Sequence, residues 1–251
     1  MTHERGRPHA GGGRILSVQV GMPKDMTAEY GPGPGGRSWQ SGIVKRAVEG
    51  AVRVGREGLA GDGQADRVHH GGPDKAVLAH ASAHYDHWRR ELAEVLGGVE
   101  GVLPADQFPH GAFGENLTVE GMDEETVCIG DVFRASATDG ETGGHGGGGG
   151  GALLQVTQPR QPCWILAKRW GVRELPRAVD RMGATGWYLR VSEEGTVEAG
   201  MALRLVERPH PEWTLSRAYR AFQQRRDAPE QAAHLAELAE LSEAFRQELR
   251  A

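Results

Sequence analysis

At 251 residues, with 38% hydrophobic and 25% charged side chains, the chain is long enough for one large domain, or one domain plus an appendage, around a packed core. A formal net charge of −5, from 29 basic and 34 acidic residues with no basic stripe, argues against a dedicated nucleic-acid binder. Only Cys128 and Cys163 are present, which excludes a disulfide framework. Without CxxC spacing they also argue against a structural zinc site, despite 11 histidines.

Residues 1–13 are polar and Gly-rich, unlike a signal peptide, and are expected to form a disordered lead-in. No run reaches the length of a membrane span, so a cytoplasmic chain with free thiols is expected. Alternation over Arg14–Gly21 predicts a strand, and Gly31–Gly36 a loop. Ser41–Lys45 and Ala51–Val54 read as strands of a meander, broken by Gly58–Gly63. Lys75–Ala79 reads as a buried strand and Ser82–Leu96 as a helix with Ser82 as N-cap. Tyr85, Trp88, Leu92 and Leu96 fall at helical spacing there, as ordinary core residues do.

Phe113–Val119 leads into a strand, and Val127–Ala135 holds a turn at Gly130–Asp131 followed by another. Residues 139–151, mostly glycine, cannot pack a core and are expected to be a mobile insertion at a hairpin tip. Trp164–Trp170 and Leu175–Met182 read as short helices; Trp187–Val191 and Ala202–Val206 read as closing strands. After Pro209–Pro211 the apolar residues take helical spacing, so 212–251 reads as a small helical domain following a mainly β domain at 14–208. Its first helix, Leu215–Gln224, is capped by Thr214, and Pro229 starts the second. Many short strands with Gly-rich turns favour a barrel or sandwich over a doubly wound sheet.

Cys163 carries the densest chemical signal. The apolar run Leu153–Val156 ends at Pro159 and Pro162, which bracket Arg160 and deliver the cysteine on a rigid, irregular connection. A neighbouring Arg favours the thiolate, the form that binds metals and attacks electrophiles. A buried thiol acting as a small hydrophobe is the competing reading. A second cluster, from Gly61 to Val77, interleaves glycines with Asp62, Gln64, Asp66, His70, Asp74 and Lys75. Glycines admit a ligand close to the backbone and expose N–H groups to an anion, while polar inter-strand loops are often simply solvated. The adjacent His69 and His70 lack a third ligand at a known spacing. Thr157 and Arg160 flank the cysteine and suit an anion.

Four segments occur in order: Gly61-Asp62-Gly63-Gln64-Ala65-Asp66, His70-Gly71-Gly72-Pro73-Asp74-Lys75-Ala76, Phe113-Gly114-Glu115-Asn116-Leu117 and Gln158-Pro159-Arg160-Gln161-Pro162-Cys163. Together they resemble the MOSC domain family, named for the C-terminal domain of molybdenum cofactor sulfurases. The likeness covers about residues 14–206. It is greatest to bacterial stand-alone members with a C-terminal three-helix domain that reduce N-hydroxylated bases such as 6-N-hydroxylaminopurine.

The resemblance implies a MOSC-type β-barrel that binds the molybdenum cofactor (Mo-molybdopterin), with Cys163 as the metal ligand. Thr157, Arg160, Asn116, Lys75, Gln64, Gly71 and Gly72 would hold the cofactor, and His70 or Asp62 would relay a proton. It also implies a detoxifying oxidoreductase, independent of pyridoxal phosphate and supplied with electrons by a flavoprotein. A homodimer is compatible with it. The alternative is a module that carries cofactor, or sulfur as a Cys163 persulfide. A cysteine hydrolase with a Cys163–His70 pair ranks below both, because no oxyanion hole is evident.

Overall fold

The computed structural model describes residues 11–66, 71–97, 102–137 and 150–251. Seven strands build the body: β1 (Gly12–Val20), β2 (Val77–Ala81), β3 (Leu117–Glu120), β4 (Val132–Ser136), β5 (Leu153–Pro159), β6 (Trp187–Glu193) and β7 (Ala202–Glu207). Neighbour by neighbour they run β7-β4-β5-β6-β2-β3-β1, and β1 pairs again with β7, so the sheet closes into the expected barrel. Only β2 and β3 run parallel, with Ala79 opposite Leu117.

A parallel pair needs a crossover rather than a hairpin. The crossover carries α1 (Tyr85–Glu91) and a satellite core in which Tyr85, Trp88, Phe108 and Phe113 pack against Leu166 and Val179. The last two belong to α2 (Trp164–Trp170) and α3 (Leu175–Met182), whose limits match the sequence reading. The longer helix expected from Ser82 does not form as one piece. Ser82–His84 is a 3-10 turn in which the Ser82 carbonyl accepts from Tyr85 N, its side chain caps nothing, and Ala93–Gly97 winds into a π-type turn.

The barrel closes through residues expected to be disordered. Gly12 and Gly13 belong to β1, opposite Arg204 and Leu203. A Cβ at Gly12, where φ is +127°, would lie 1.9 Å from the Leu203 carbonyl oxygen, so a side chain there would block closure. Residues 1–10 lie outside the described residues, as does the 139–151 insertion up to residue 149. Its last glycine, Gly151, lies against the barrel: it bridges to Thr196, and its carbonyl accepts from Arg134 Nη1 at 3.2 Å.

The expected strand at Ser41–Lys45 is also revised. Gln40–Ser41 pairs only with Lys24–Asp25, and residues 42–45 are irregular, which leaves their backbone free to form a wall. Lys75 ends a 3-10 turn at Pro73–Lys75, and strand β2 starts two residues later, because Gly72 (φ +86°) and Pro73 turn the chain first.

Three helices follow the barrel: α4 (Leu215–Gln223), α5 (Pro229–Leu235) and α6 (Glu243–Arg250). Thr214 Oγ1 accepts from Arg217 N at 3.2 Å and Ser242 Oγ from Phe245 N at 3.1 Å, so a hydroxyl caps the first and the last. Trp213, Leu215, Leu235, Phe245 and Leu249 are buried in one continuous core with Ile129, Leu154 and Val156 of the barrel. Among the described residues no helix is long and apolar enough to cross a membrane.

Candidate active site

Strand β5 aims its end at a cleft. Its ladder finishes with Arg160 N donating to Gly186 O at 2.9 Å, and Pro162 beyond it has no N–H to pair. Cys163 follows in extended geometry as the N-cap of α2, partly exposed, and it lines the cleft. The cleft holds about 680 Å³, counting its open mouth. One wall comes from Gln40–Ile43 and Lys45, another from Gly63–Asp66, a third from Phe113, Gly114 and Asn116, and the floor from Lys75, Tyr188 and Arg160.

The walls are held by buried polar contacts. Asn116 stands where a strand residue would, between β1 and β2. Its Oδ1 accepts from Leu78 N at 3.1 Å, and its Nδ2 donates to Gln19 O at 3.2 Å and to Asp62 Oδ2 at 2.9 Å. Asp62 also accepts from Gly21 N at 2.8 Å and from Lys45 Nζ, with both side chains of that ion pair almost fully buried. Burial pushes Lys45 below its ordinary pKa against the pull of Asp62. Arg169 ties α2 to two walls at once, through Nη1 to Ile43 O at 2.7 Å and Gly111 O at 2.6 Å.

Beneath the third wall, Glu115 is fully buried and accepts from Gly111 N (2.7 Å), Phe113 N (3.1 Å), Thr118 Oγ1 (2.9 Å) and the Tyr85 hydroxyl. Burial alone would raise its pKa. Nearby His80, the Tyr85 hydroxyl and the Gly111 N–H outweigh that and hold it low, so it stays ionised.

The working surface is cationic. Arg160 is buried; Nη2 donates to Phe113 O at 3.3 Å, whereas Nη1 has no partner among the described residues. A buried, unpaired guanidinium N–H is costly unless a ligand satisfies it. Lys75 Nζ lies 5.8 Å from the Tyr188 ring centroid. Burial lowers its pKa, while Glu248, Asp66 and Asp74 oppose that. Burial also pushes the Tyr188 hydroxyl up to about 12, so it stays protonated near neutral pH. Among the described residues no group of three or more His, Cys, Asp or Glu is placed to hold a metal ion.

The residues expected at the site divide accordingly. Cys163, Arg160, Lys75, Gln64 and Asn116 converge on the cleft. Asn116 has both amide hydrogens committed to the protein, so it builds the wall and leaves ligand binding to others. Asp62 lies behind Lys45, saturated with donors, and is not placed to relay a proton. Thr157 is corrected likewise: its buried hydroxyl donates to Asp74 O at 2.7 Å and pins the turn that carries Lys75. Gly71 and Gly72 shape that same turn and do not line the cleft, with Gly72 O accepting from Lys75 N at 3.0 Å. His70 lies outside the described residues.

Sequence reasoning missed Lys45, Tyr188, Glu115 and Arg169. Glu115 was visible as an acid directly before a predicted strand, inside the Phe113–Leu117 segment, whereas the others carry no such local mark.

A family model described as the MOSC domain matches residues 66–204, more than half the chain. The chain is 44% identical over 194 residues to YflK of Bacillus subtilis (strain 168), covering 77% of this chain and 73% of that one. It is 31% identical over 228 residues to a Gibberella moniliformis protein named Reductase, covering 90% of this chain but 35% of that one. The crystal structure of YiiM from Geobacillus stearothermophilus aligns with a TM-score of 0.69 at 31% identity, covering 95% of this chain and 97% of that one. The match over most of the barrel, these identities and the shared architecture place the chain in one family: it belongs to the MOSC domain family.

Proposed function

We propose that the cleft binds the molybdenum cofactor and that the protein reduces N-hydroxylated bases to amines, R–NHOH plus two electrons and two protons giving R–NH2 and water. The observation that carries the reading is the pairing, in one cleft, of a partly exposed thiol at Cys163 with the unpartnered buried Nη1 of Arg160. A soft thiolate suits a metal already held by sulfur, and a guanidinium suits a phosphate or an electron-rich pterin edge. When bound, the cofactor supplies the two-electron chemistry that removes the hydroxyl oxygen.

The chain's own residues do the rest. Cys163 would hold the metal, and α2 fixes the approach of its thiol. Arg160 and Lys75 balance the cofactor's negative charge, and Gln64 offers an amide to its polar edge. Phe113 and Ile165 give the cleft apolar surface against which a planar base can lie. Lys75, whose proton burial loosens, replaces Asp62 as the group suited to deliver one from the cleft floor, while the Tyr188 hydroxyl keeps its proton and can donate a hydrogen bond. The two-electron reduction calls for an external electron donor, which we assign to a flavoprotein. The Gibberella relative named Reductase supports the reaction class.

The test is protein made in a cofactor-producing host, assayed for molybdenum content and for reduction of 6-N-hydroxylaminopurine with an artificial electron donor. Cys163→Ala should lower turnover by roughly 100-fold or more, about 2.7 kcal/mol of barrier. Full activity in that variant overturns the mechanism. A Cys163 persulfide in protein lacking molybdenum would favour the carrier reading instead.

A further inference from the structure

Helix α6 runs beside the segment that ends in Cys163 and grips it at both ends. At its start, Ser242 N donates to Thr157 O at 3.4 Å, and Ser242 Oγ donates to Gln158 Oε1. Near its finish, Glu248 Oε2 accepts from Gln161 Nε2. Between those points the backbone has little to hold it. The β5 ladder ends at Arg160 N, Pro162 has no N–H, and the next backbone bond is Leu166 N to Cys163 O at 3.1 Å. Among the described residues, the Gln161–Glu248 contact is the one side-chain hydrogen bond made by residues 161–163. Glu248 also acts on Lys75, in the floor of the cleft, as the foremost of the carboxylates that stabilise its charge.

We propose that Glu248 is a positioning residue of this cleft: by holding Gln161 it fixes the Cys163 thiol, and the C-terminal helix is therefore a working part of the site. The inference rests on reading Cys163 as the working thiol, but it does not depend on the reaction performed.

The readout is the rate at which iodoacetamide alkylates Cys163 in the full, cofactor-free chain, followed by mass spectrometry. Cys128 is the internal reference, since it is buried and its thiol is pushed up to about 11, mainly by burial. Glu248→Ala and Gln161→Ala should each speed labelling roughly fivefold, the factor corresponding to about 1 kcal/mol for one hydrogen bond that restrains local opening. The double variant should be no faster than either single one, because both remove the same contact. Glu248→Gln should stay near the wild-type rate, since its amide oxygen still accepts. Unchanged labelling in Glu248→Ala, multiplicative effects in the double variant, or a Glu248→Gln rate equal to that of Glu248→Ala would each overturn the proposal. Labelling needs no cofactor: an inactive protein that shows this pattern would sink the reductase reading and leave Glu248 in its role.

Discussion

The cleft and the C-terminal helical cap are built from opposite materials. The cap buries Trp213, Leu215, Ala218, Leu235, Phe245 and Leu249 against the barrel, and its stability comes from apolar area. The cleft wall instead buries Asp62, Asn116 and Glu115, each held by several partners, and Lys45, held by the Asp62 carboxylate. An apolar core loses stability in proportion to the atoms removed. A polar wall loses little when intact and much when one member is taken away, because its partner is then left buried and unpaired. Among the described residues, Ser242 and Glu248 alone carry polar contacts from the cap to the cysteine segment.

Three variants would sharpen that contrast. Phe245→Ala, at a fully buried position in the cap, should cost about 3–5 kcal/mol in urea unfolding and leave a cavity. Asp62→Ala should cost about 3–5 kcal/mol although it deletes far fewer apolar atoms, because Lys45 would remain buried without its carboxylate. A cost below that of an ordinary surface substitution would mean that the wall is not a buried ion pair.

The third is acid sensitivity at His80, which is fully buried and stacked on Phe113 with ring centroids 4.3 Å apart. Burial lowers its pKa from 6.5 to about 4. Between those values the unfolded chain binds a proton that the folded one refuses. Stability therefore falls as pH drops from about 6.5 to 4, by about 3 kcal/mol in total. His110, also lowered by burial, adds to the slope. His84 opposes it: burial lowers that imidazole, but Glu124 at 2.7 Å outweighs burial and leaves the pKa raised. Glu115 and Glu124, both held low, lose their contributions only below the ordinary carboxylate range. The difference between wild type and His80→Leu isolates the His80 share. Parallel stability–pH curves for the two proteins would refute it.

Much of this architecture was legible along the chain. The limits of α2 and α3 follow from helical spacing ended by Gly171 and Gly183, and Thr214 is a cap by composition alone. The failures are equally specific. Gly12 and Gly13 look like linker, yet they close the barrel, because closure requires two backbones to meet where no side chain fits. Asp62, Thr157 and Asn116 look like ligand-binding groups, yet their polar atoms are spent inside the protein. A polar residue in a loop has the same appearance in sequence whether it faces a ligand or a buried lysine.

By itself, the sequence determined that the chain is a mainly β protein with a helical tail and that Cys163 arrives on a proline-stiffened connection beside Arg160. Those properties are local: periodicity, caps and proline act over a few residues. Only the tertiary structure decided which polar groups face the cleft and which hold its walls. The deciding contacts join positions far apart in the chain, Asp62 with Asn116 across 54 residues and Gln161 with Glu248 across 87. Burial and partner, the two quantities that determine what a charged side chain does, exist only once those distant segments meet.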